Sequence, residues 1–267
     1  MRNSLTTTLA DAPMGELVAS QEVLRCDGLG VRFGGIVAVE DVTLELTTGE
    51  VLALIGPNGA GKTTLLNLLS GFVAPTGGTF RAGETELTGL PPEAVARRGV
   101  VRTFQDVRLF GHLTVLENVE LGALGAGLKR GAARGRALEM LDLLGLSARA
   151  GVRADAVSYG EERHIGIARA VAMGPRFLLL DEPAAGLSET EGDELVSTIV
   201  RLRDMLGCGV LLVEHDMAVV GALADRVHVL ESGRTLASGT VEQVRSDPRV
   251  ISAYLGKERL GDGDAGD

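Results

Sequence analysis

The sequence has few aromatic residues, few lysines and few cysteines. Its 267 residues include six Phe, two Tyr and no Trp, so the core must be built from Leu, Val, Ala and Ile. The two cysteines, Cys26 and Cys208, lie far apart and lack the spacing of metal ligands. We therefore expect buried thiols in a reducing compartment rather than a disulfide or a metal centre.

Long apolar runs are also missing. No stretch approaches the roughly 18 apolar residues of a membrane span, and residues 1–21 lack the apolar region of a signal peptide. We interpret residues 1–21 as a disordered leader and the acidic residues 257–267 as a disordered tail. A net charge of −10 argues against general binding to nucleic acid or to anionic membranes. If the protein works at a membrane, another chain must cross it.

The pattern of apolar segments indicates an α/β fold. Short alternating segments over 23–50 predict an antiparallel sheet, and the apolar run at 51–56 predicts a parallel strand buried on both faces. Strands then alternate with helices, which favours a doubly wound, mostly parallel sheet. We expect an inserted helical subdomain over about 106–172, interrupted by a flexible basic stretch at 124–137, and one last helix over about 241–255.

Residues 56–64, GPNGAGKTT, match the phosphate-binding pattern G-x-x-x-x-G-K-[ST] at every fixed position. In this pattern, backbone amides surround the β-phosphate, Lys62 neutralises phosphate charge and Thr63 can hold Mg²⁺. A predicted strand before and a helix after disfavour the alternative of a glycine turn with a chance lysine. The loop predicts a P-loop NTPase with an N-terminal antiparallel β-subdomain, and its nucleotide-binding residues are Gly56, Pro57, Asn58, Gly59, Ala60, Gly61, Lys62, Thr63 and Thr64.

Polar residues end three of the predicted strands. Asp181 ends the strand FLLLD, where an acid can hold Mg²⁺ beside Thr63, and we assign the next residue, Glu182, as general base for the attacking water. His215 ends VLLVEH and can hydrogen-bond a γ-phosphate or that water. Gln105 follows GVVRTF and can orient water or join a metal shell, but the residues alone also allow a merely polar position there.

A second helix start lies at 157–174, VSYGEERHIGIARAVAMG. Ser158 and Glu161 form a capping-box pattern, which is how many ordinary helices begin. A helix start is also ready to bind an anion, although this one has neither a lysine nor a strand before it.

The motifs GPNGAGKTT, RTFQ, VSYGEER, FLLLDEP, AAGL and EHD together resemble, in order and spacing, the ATP-binding subunit of ABC transporters. The resemblance implies ATP and Mg²⁺ as cofactors and a head-to-tail pair of such subunits. Each phosphate loop would then face the signature of its partner, which here is Ser158, Tyr159, Gly160 and Glu161. It further implies that Gln105 senses the γ-phosphate and joins Thr63 and Asp181 around the metal, that His215 is the switch histidine, and that Phe33 stacks on adenine.

Within that family the segments VRFGGIVAV, RTFQDVRLFGHLTVLENV and RVISAYLG resemble importers of branched-chain amino acids, in the form of the longer of their two paired ATPases. The same pattern serves importers of urea, amides and other small acids. The implied partners are two transmembrane permease subunits, a second ATP-binding subunit in a homo- or heterodimer, and an extracytoplasmic solute-binding protein, with no nucleic acid. The implied location is peripheral, on the cytoplasmic face of the cell membrane.

Two rival functions and several departures from the common pattern bear on this interpretation. A non-transport ABC ATPase of DNA repair or translation would carry long insertions or a second ATPase half, and a small-molecule kinase would need an acceptor site. The departures include Val157, Tyr159 and Glu161 in the signature, where Leu, Gly and Gln are common, and Ser188 where Asp or Asn is usual.

Overall fold

The structure is a computed structural model that describes residues 21–261. Its ten strands and nine α-helices within that range are β1 (Val23–Phe33), β2 (Ile36–Thr47), β3 (Val51–Ile55), α1 (Lys62–Leu69), β4 (Gly77–Ala82), β5 (Thr85–Glu86), α2 (Pro92–Arg97), β6 (Val100–Arg102), α3 (Val115–Gly125), α4 (Arg130–Leu143), α5 (Tyr159–Val171), β7 (Phe177–Asp181), α6 (Glu189–Leu206), β8 (Gly209–Val213), α7 (Met217–Leu223), β9 (Arg226–Glu231), β10 (Arg234–Gly239), α8 (Val241–Ser246) and α9 (Pro248–Gly261).

The strands form two sheets. An antiparallel sheet has the order β2-β1-β4-β5, and a six-stranded sheet has the order β10-β9-β3-β8-β7-β6, in which only the pairing of β10 with β9 is antiparallel. Strands β3, β7 and β8 are buried at every residue, as strands covered on both faces must be. The α/β fold expected from the sequence, with an N-terminal antiparallel sheet and a mostly parallel one, is confirmed.

The alternation of side chains along β7 explains how the layers assemble. Phe177 and Leu179 point into a core shared with the antiparallel sheet and α1. Leu178 and Leu180 point to the opposite face, into a core shared with the helices that surround α5. The carboxyl end of β7 therefore lies between two packed layers, and Asp181, the next residue, is held firmly in place.

Three helices, α3 to α5, lie between β6 and β7. The expectation of a flexible interruption at 124–137 is wrong, because α4 begins at Arg130 and runs through most of that stretch. Ala133 and Ala137 are buried on its inner face, so small residues at helical spacing offset the weak helix propensity of the glycines.

The C-terminal region also differs from expectation. The single helix expected over 241–255 is two helices, because Asp247 precedes Pro248 and takes an extended conformation that a residue before proline favours. Helix α9 continues to Gly261, into the segment that we interpreted as a disordered tail. The remainder of the tail, 262–267, and residues 1–20 of the leader lie outside the described residues. Within 21–261, no helix combines the length and apolarity needed to cross a membrane.

Candidate active site

The phosphate-binding pattern forms a loop between β3 and α1. Helix α1 starts after Gly61, which has a left-handed conformation with φ of 103°, and no side chain of the described residues caps it. Lys62 is 7% exposed, and its ammonium donates to the carbonyl oxygens of Gly56 at 2.6 Å and Pro57 at 3.3 Å. The loop thus combines an uncapped helix start with a cation held across it, which is the arrangement that binds phosphate.

Neighbouring backbone presses against this loop from outside. A Cβ atom on Gly56, whose φ is 151°, would lie 2.2 Å from the carbonyl oxygen of Leu230 at the end of β9. The amide of Gly233, in the turn after β9, donates to the carbonyl oxygen of Ala60 at 2.9 Å. The β9–β10 hairpin therefore fixes the shape of the loop, and glycine is required at position 56.

The ends of β7 and β8 bring the predicted polar residues together. Asp181 pairs with Val213 across the two parallel strands, so Glu182 and His215 follow at the same edge of the sheet. The amide of Glu182 donates to the carbonyl oxygen of Val213 at 3.0 Å. Glu182 has a φ of 46°, which is unusual for a residue with a side chain and costs on the order of 1–3 kcal/mol. Such strain is typical of functional positions.

Gln105 and His215 approach the Glu182 carboxylate from two sides. The Gln105 side-chain amide donates to Glu182 Oε2 at 3.4 Å, and His215 Nδ1 lies 4.0 Å from the same oxygen. The second distance is longer than a hydrogen bond. Two residues predicted to act on the γ-phosphate or its attacking water, Gln105 and His215, thus lie near one carboxylate oxygen of the third, Glu182.

Glu214, just before His215, is fully buried, and no motif in the sequence indicated a role for it. Its carboxylate accepts hydrogen bonds from the amides of Ala184 at 2.9 Å and His215 at 3.2 Å. Burial raises its pKa, and these two amides oppose the rise. The carboxylate thereby ties the loop that follows Glu182 to the end of β8.

Arg102 is a second residue without a predicted role. It lies at the end of β6, beside Leu179, and its guanidinium contacts the Asp181 carboxylate. By contrast, His228 lies away from these strand ends, buried within β9, with Nε2 3.0 Å from the Thr235 hydroxyl. Burial lowers the pKa of His228 to about 4, so its ring is neutral at pH 7.

The predicted capping box at the second helix start is confirmed. The Ser158 hydroxyl accepts from the Glu161 amide at 3.3 Å, and the Glu161 carboxylate accepts from the Ser158 amide at 2.9 Å. The hydrogen bonds found within the described part of the chain do not include the amides of Tyr159 and Gly160. These two donors are the ones that an anion can use.

The extra carboxylate in this turn is neutralised by its own subunit. Arg149 pairs with Glu161 through Nε, and this hydrogen bond, followed by that from the Ser158 amide, lowers the pKa of Glu161. The negative charge of Glu161 is therefore offset before any nucleotide approaches the helix start.

Tyr159 points toward its own subunit. Its hydroxyl donates to the carbonyl oxygen of Ala185 at 3.2 Å, and its ring lies against Gly186. Arg163, one turn later on α5, is buried, has its guanidinium 4.8 Å from the Tyr159 ring centroid, and donates to the carbonyl oxygen of Gln105. The start of α5 is thus joined to the segment that carries Gln105 and to the segment that follows Glu182.

Phe33 ends β1, opposite Ile36 of β2, and 49% of its surface is exposed. A core position would be buried, so the exposed ring is open to a planar ligand.

The donor set at the loop fits Mg²⁺ that arrives with a nucleotide. Thr63 is exposed in the first turn of α1, and Asp181 supplies carboxylate oxygens, the hard ligands that Mg²⁺ prefers. Within residues 21–261, no group of three His, Cys, Asp or Glu could hold a metal by itself. The site therefore suits an ion whose other ligands are phosphate oxygens and water.

Comparisons with known proteins point to one family. The family model described as ABC transporter matches residues 39–185, and the model described as branched-chain amino acid ATP-binding cassette transporter matches residues 234–259. The high-affinity branched-chain amino acid transport ATP-binding protein LivG of Salmonella typhimurium is 46% identical over 253 residues, covering 89% of this chain and 99% of LivG.

Two solved structures are similar in fold. The ADP conformation of MJ1267, an ATP-binding cassette of an ABC transporter, superposes with a TM-score of 0.81 at 28% identity, covering 89% of this chain and 100% of that one. The dimeric post-hydrolysis state of the ATP-binding cassette MJ0796, bound to ADP and Pi, has a TM-score of 0.72 at 27% identity, covering 82% of this chain and 98% of that one.

Proposed function

The chain belongs to the ABC transporter ATP-binding family, and we propose that it hydrolyses ATP to power the import of branched-chain amino acids. The observation that carries the ATPase assignment is the grouping of Gln105, Glu182 and His215 at the sheet edge that also bears Asp181. The solute assignment is supported by the match at residues 234–259 and by the 46% identity to LivG.

ATP binds first to the phosphate loop. The uncapped amides at the start of α1 and the Lys62 ammonium neutralise the phosphates, while the exposed Phe33 ring stacks on the adenine. Thr63, Asp181 and Gln105 would hold Mg²⁺, which when bound offsets the negative charge on the phosphate oxygens.

Hydrolysis requires a water placed in line with the γ-phosphate. Glu182 accepts a proton from this water, and its strained backbone and the Gln105 amide hold its carboxylate in place. His215, with its ring 62% exposed, is placed to hydrogen-bond the γ-phosphate once ATP is present. The buried Glu214 carboxylate holds the segment after Glu182 next to His215, because it accepts hydrogen bonds from the amides of Ala184 and His215.

The second helix start acts on the nucleotide of a partner subunit. The free amides of Tyr159 and Gly160, with the Ser158 hydroxyl, contact the γ-phosphate held by the partner's phosphate loop, and the Glu161 backbone supports this turn. ATP thereby closes the dimer and hydrolysis reopens it. Two permease subunits convert this cycle into alternating access, a solute-binding protein delivers the solute, and the chain lies at the cytoplasmic face of the membrane.

The ATPase mechanism is tested by Glu182→Gln, which keeps the size of the side chain but removes the base. We expect ATP affinity to be retained and turnover to fall by roughly 10²–10⁴-fold, with an ATP-bound dimer detectable by size-exclusion chromatography. The matched control is Glu93→Gln, which makes the same change at an exposed residue of α2. It should leave turnover unchanged. Unchanged turnover in Glu182→Gln would disprove the assignment of the base.

The solute is tested separately. The chain is reconstituted with its permeases and binding protein in vesicles, and ATPase activity is measured with leucine, isoleucine or valine and, in parallel, with urea or acetamide. Stimulation by the branched-chain amino acids alone supports the proposal. Stimulation by urea or acetamide alone would instead assign the chain to the related importers of urea and amides.

A further inference from the structure

Arg102 is a buried cation inside the nucleotide-binding core. Its side chain is 5% exposed and that of Asp181 is 9% exposed, and Nη2 of Arg102 donates to Oδ2 of Asp181 at 2.8 Å. The two residues belong to adjacent strands, because Arg102 on β6 pairs with Leu179, two residues before Asp181 on β7. Arg102 therefore occupies one oxygen of the carboxylate that we assign as a metal ligand.

The other arm of the same guanidinium contacts α1. Nη1 of Arg102 donates to Oδ1 of Asn67 at 2.6 Å and to Oγ of Ser70 at 3.2 Å. Helix α1 is the helix that begins in the phosphate loop, so Arg102 joins that helix to the carboxylate. The guanidinium group lies 4.9 Å from the Phe104 ring centroid, which holds it in one plane.

Stability alone does not explain an arginine at this position. Nε of Arg102 is buried and finds no hydrogen-bond partner within residues 21–261, and an unpaired buried donor is unfavourable. Burying an ion pair is also costly, and apolar residues of similar volume often serve a core as well or better. The planar fork, however, can reach two elements at once, which a lysine ammonium cannot do.

We propose that Arg102 is a positioning residue that ties Asp181 to α1 through Oδ2, so that the other oxygen, Oδ1, stays available to the Mg²⁺ of bound ATP. Arg102 holds Oδ2, and Asn67 and Ser70 set the distance between the carboxylate and the helix that carries Thr63. This role rests on the proposed function, in which Asp181 and Thr63 hold the metal. Loss of the Arg102 hydrogen bonds would leave the phosphate loop itself intact.

The test separates metal-dependent from metal-independent binding. The affinity of the isolated chain for ATP is measured by calorimetry in excess Mg²⁺ and again in EDTA, for the wild type, Arg102→Met, Arg102→Lys and Asp181→Asn. We expect Arg102→Met to lose roughly 10–100-fold in affinity with Mg²⁺, as is usual for groups that orient metal ligands, and to stay within about twofold of the wild type in EDTA. Arg102→Lys should recover part of the loss.

The outcomes distinguish three cases. If Asp181→Asn keeps the full gain from Mg²⁺, the assignment of the metal ligand is wrong. If Asp181→Asn loses the gain but Arg102→Met keeps it, the role of Arg102 is wrong. If Arg102→Met weakens both affinities equally, the arginine is only structural, which also overturns the proposal.

Arg102→Met leaves a buried carboxylate without its partner, so a milder variant accompanies it. Asn67→Ala combined with Ser70→Ala removes the contacts to α1 and leaves the Arg102–Asp181 pair. The gain from Mg²⁺ is the ratio of the ATP affinity in Mg²⁺ to the ATP affinity in EDTA. We expect this ratio to fall about threefold or more in the double variant, while the affinity in EDTA stays that of the wild type. An unchanged gain would contradict the link to α1 whether or not Arg102→Met folds.

Discussion

Helices α1 and α5 both begin in a way that suits a phosphate, and they do so by different means. Helix α1 follows a buried strand, starts at Gly61 without a side-chain cap and carries Lys62 in its first turn. Helix α5 starts at Ser158, and its capping box uses the amides of Ser158 and Glu161. The first start has no side-chain cap and supplies a cation, whereas the second offers two amides and no lysine.

The difference indicates what each helix start can bind alone. A nucleotide that carries several negative charges needs the cation and open loop of α1. The capping box stabilises the start of α5 without a ligand, and the Glu161 carboxylate is paired with Arg149. We infer that α1 provides a complete phosphate site and α5 provides half of one, to be completed by a nucleotide that another subunit holds.

The largest expected effect comes from blocking the start of α5 with Ser158→Arg. The long side chain removes the cap and fills the space that the partner's γ-phosphate would enter. We expect ATP turnover to fall roughly a thousandfold, comparable to the loss of transition-state donors, while the isolated subunit binds ATP with nearly unchanged affinity. Turnover is followed by phosphate release, and binding by calorimetry.

A loss of ATP affinity in the isolated Ser158→Arg subunit would contradict this distinction. Ser147→Arg, in an exposed turn before α5, serves as the control for adding a surface arginine and should retain turnover.

The next largest effect tests the rigidity of the α1 site. Gly56→Ala would force a Cβ to within 2.2 Å of the Leu230 carbonyl oxygen at a φ of 151°. We expect the nucleotide-free chain to lose about 3 kcal/mol of unfolding free energy, from backbone strain and overpacking together. Gly59→Ala is the matched control, because its φ is 79° but nothing lies within 4 Å, so it should lose only about 1 kcal/mol.

Urea denaturation measures both Gly56→Ala and Gly59→Ala. Equal losses in the two variants would show that the β9–β10 hairpin does not hold the phosphate loop.

Local pattern was sufficient to predict α1 and the start of α5. The loop glycines, Lys62 and the Ser158–Glu161 spacing are contiguous, so the sequence displays them directly. The partners that complete the site are distant in the chain: Arg102 meets Asp181 79 residues later, and Arg149 meets Glu161 only because a turn brings them together. Such contacts depend on strand order and loop path, which short-range periodicity does not encode.

Two expectations were wrong, for different physical reasons. We expected 124–137 to be flexible because glycines and arginines are frequent there, but the buried Ala133 and Ala137 pack α4 against the core. We expected one helix over 241–255 because apolar spacing continues, but Pro248 and its effect on Asp247 end the first helix. Tertiary packing outweighed propensity in the first case, and backbone sterics outweighed periodicity in the second.

The smallest effect concerns the charge at the start of α5. Glu161→Gln preserves the capping-box acceptor, so turnover should remain near that of the wild type. Because Arg149 and the Ser158 amide lower the pKa of Glu161, the ionised form stabilises the folded state above the unfolded pKa of about 4.3. We expect the melting temperature of Glu161→Gln to be about 2 °C lower at pH 7.

This difference should shrink as the pH falls through the lowered pKa of Glu161, because the wild-type side chain then becomes neutral like glutamine. A melting-temperature difference that grows in acid would have the wrong sign for the ion pair with Arg149.

The most direct test of the division between α1 and α5 mixes two inactive subunits. Ser158→Arg keeps a working phosphate loop, and Lys62→Ala keeps a working start of α5. If each α5 acts on the partner's nucleotide, a mixed dimer has one intact composite site, and an equal mixture should regain about a quarter of wild-type ATP turnover at the same total concentration. If Glu182→Gln forms an ATP-bound homodimer under the same conditions, no recovery in the mixture would show that α5 serves its own subunit's nucleotide and would contradict the half-site interpretation.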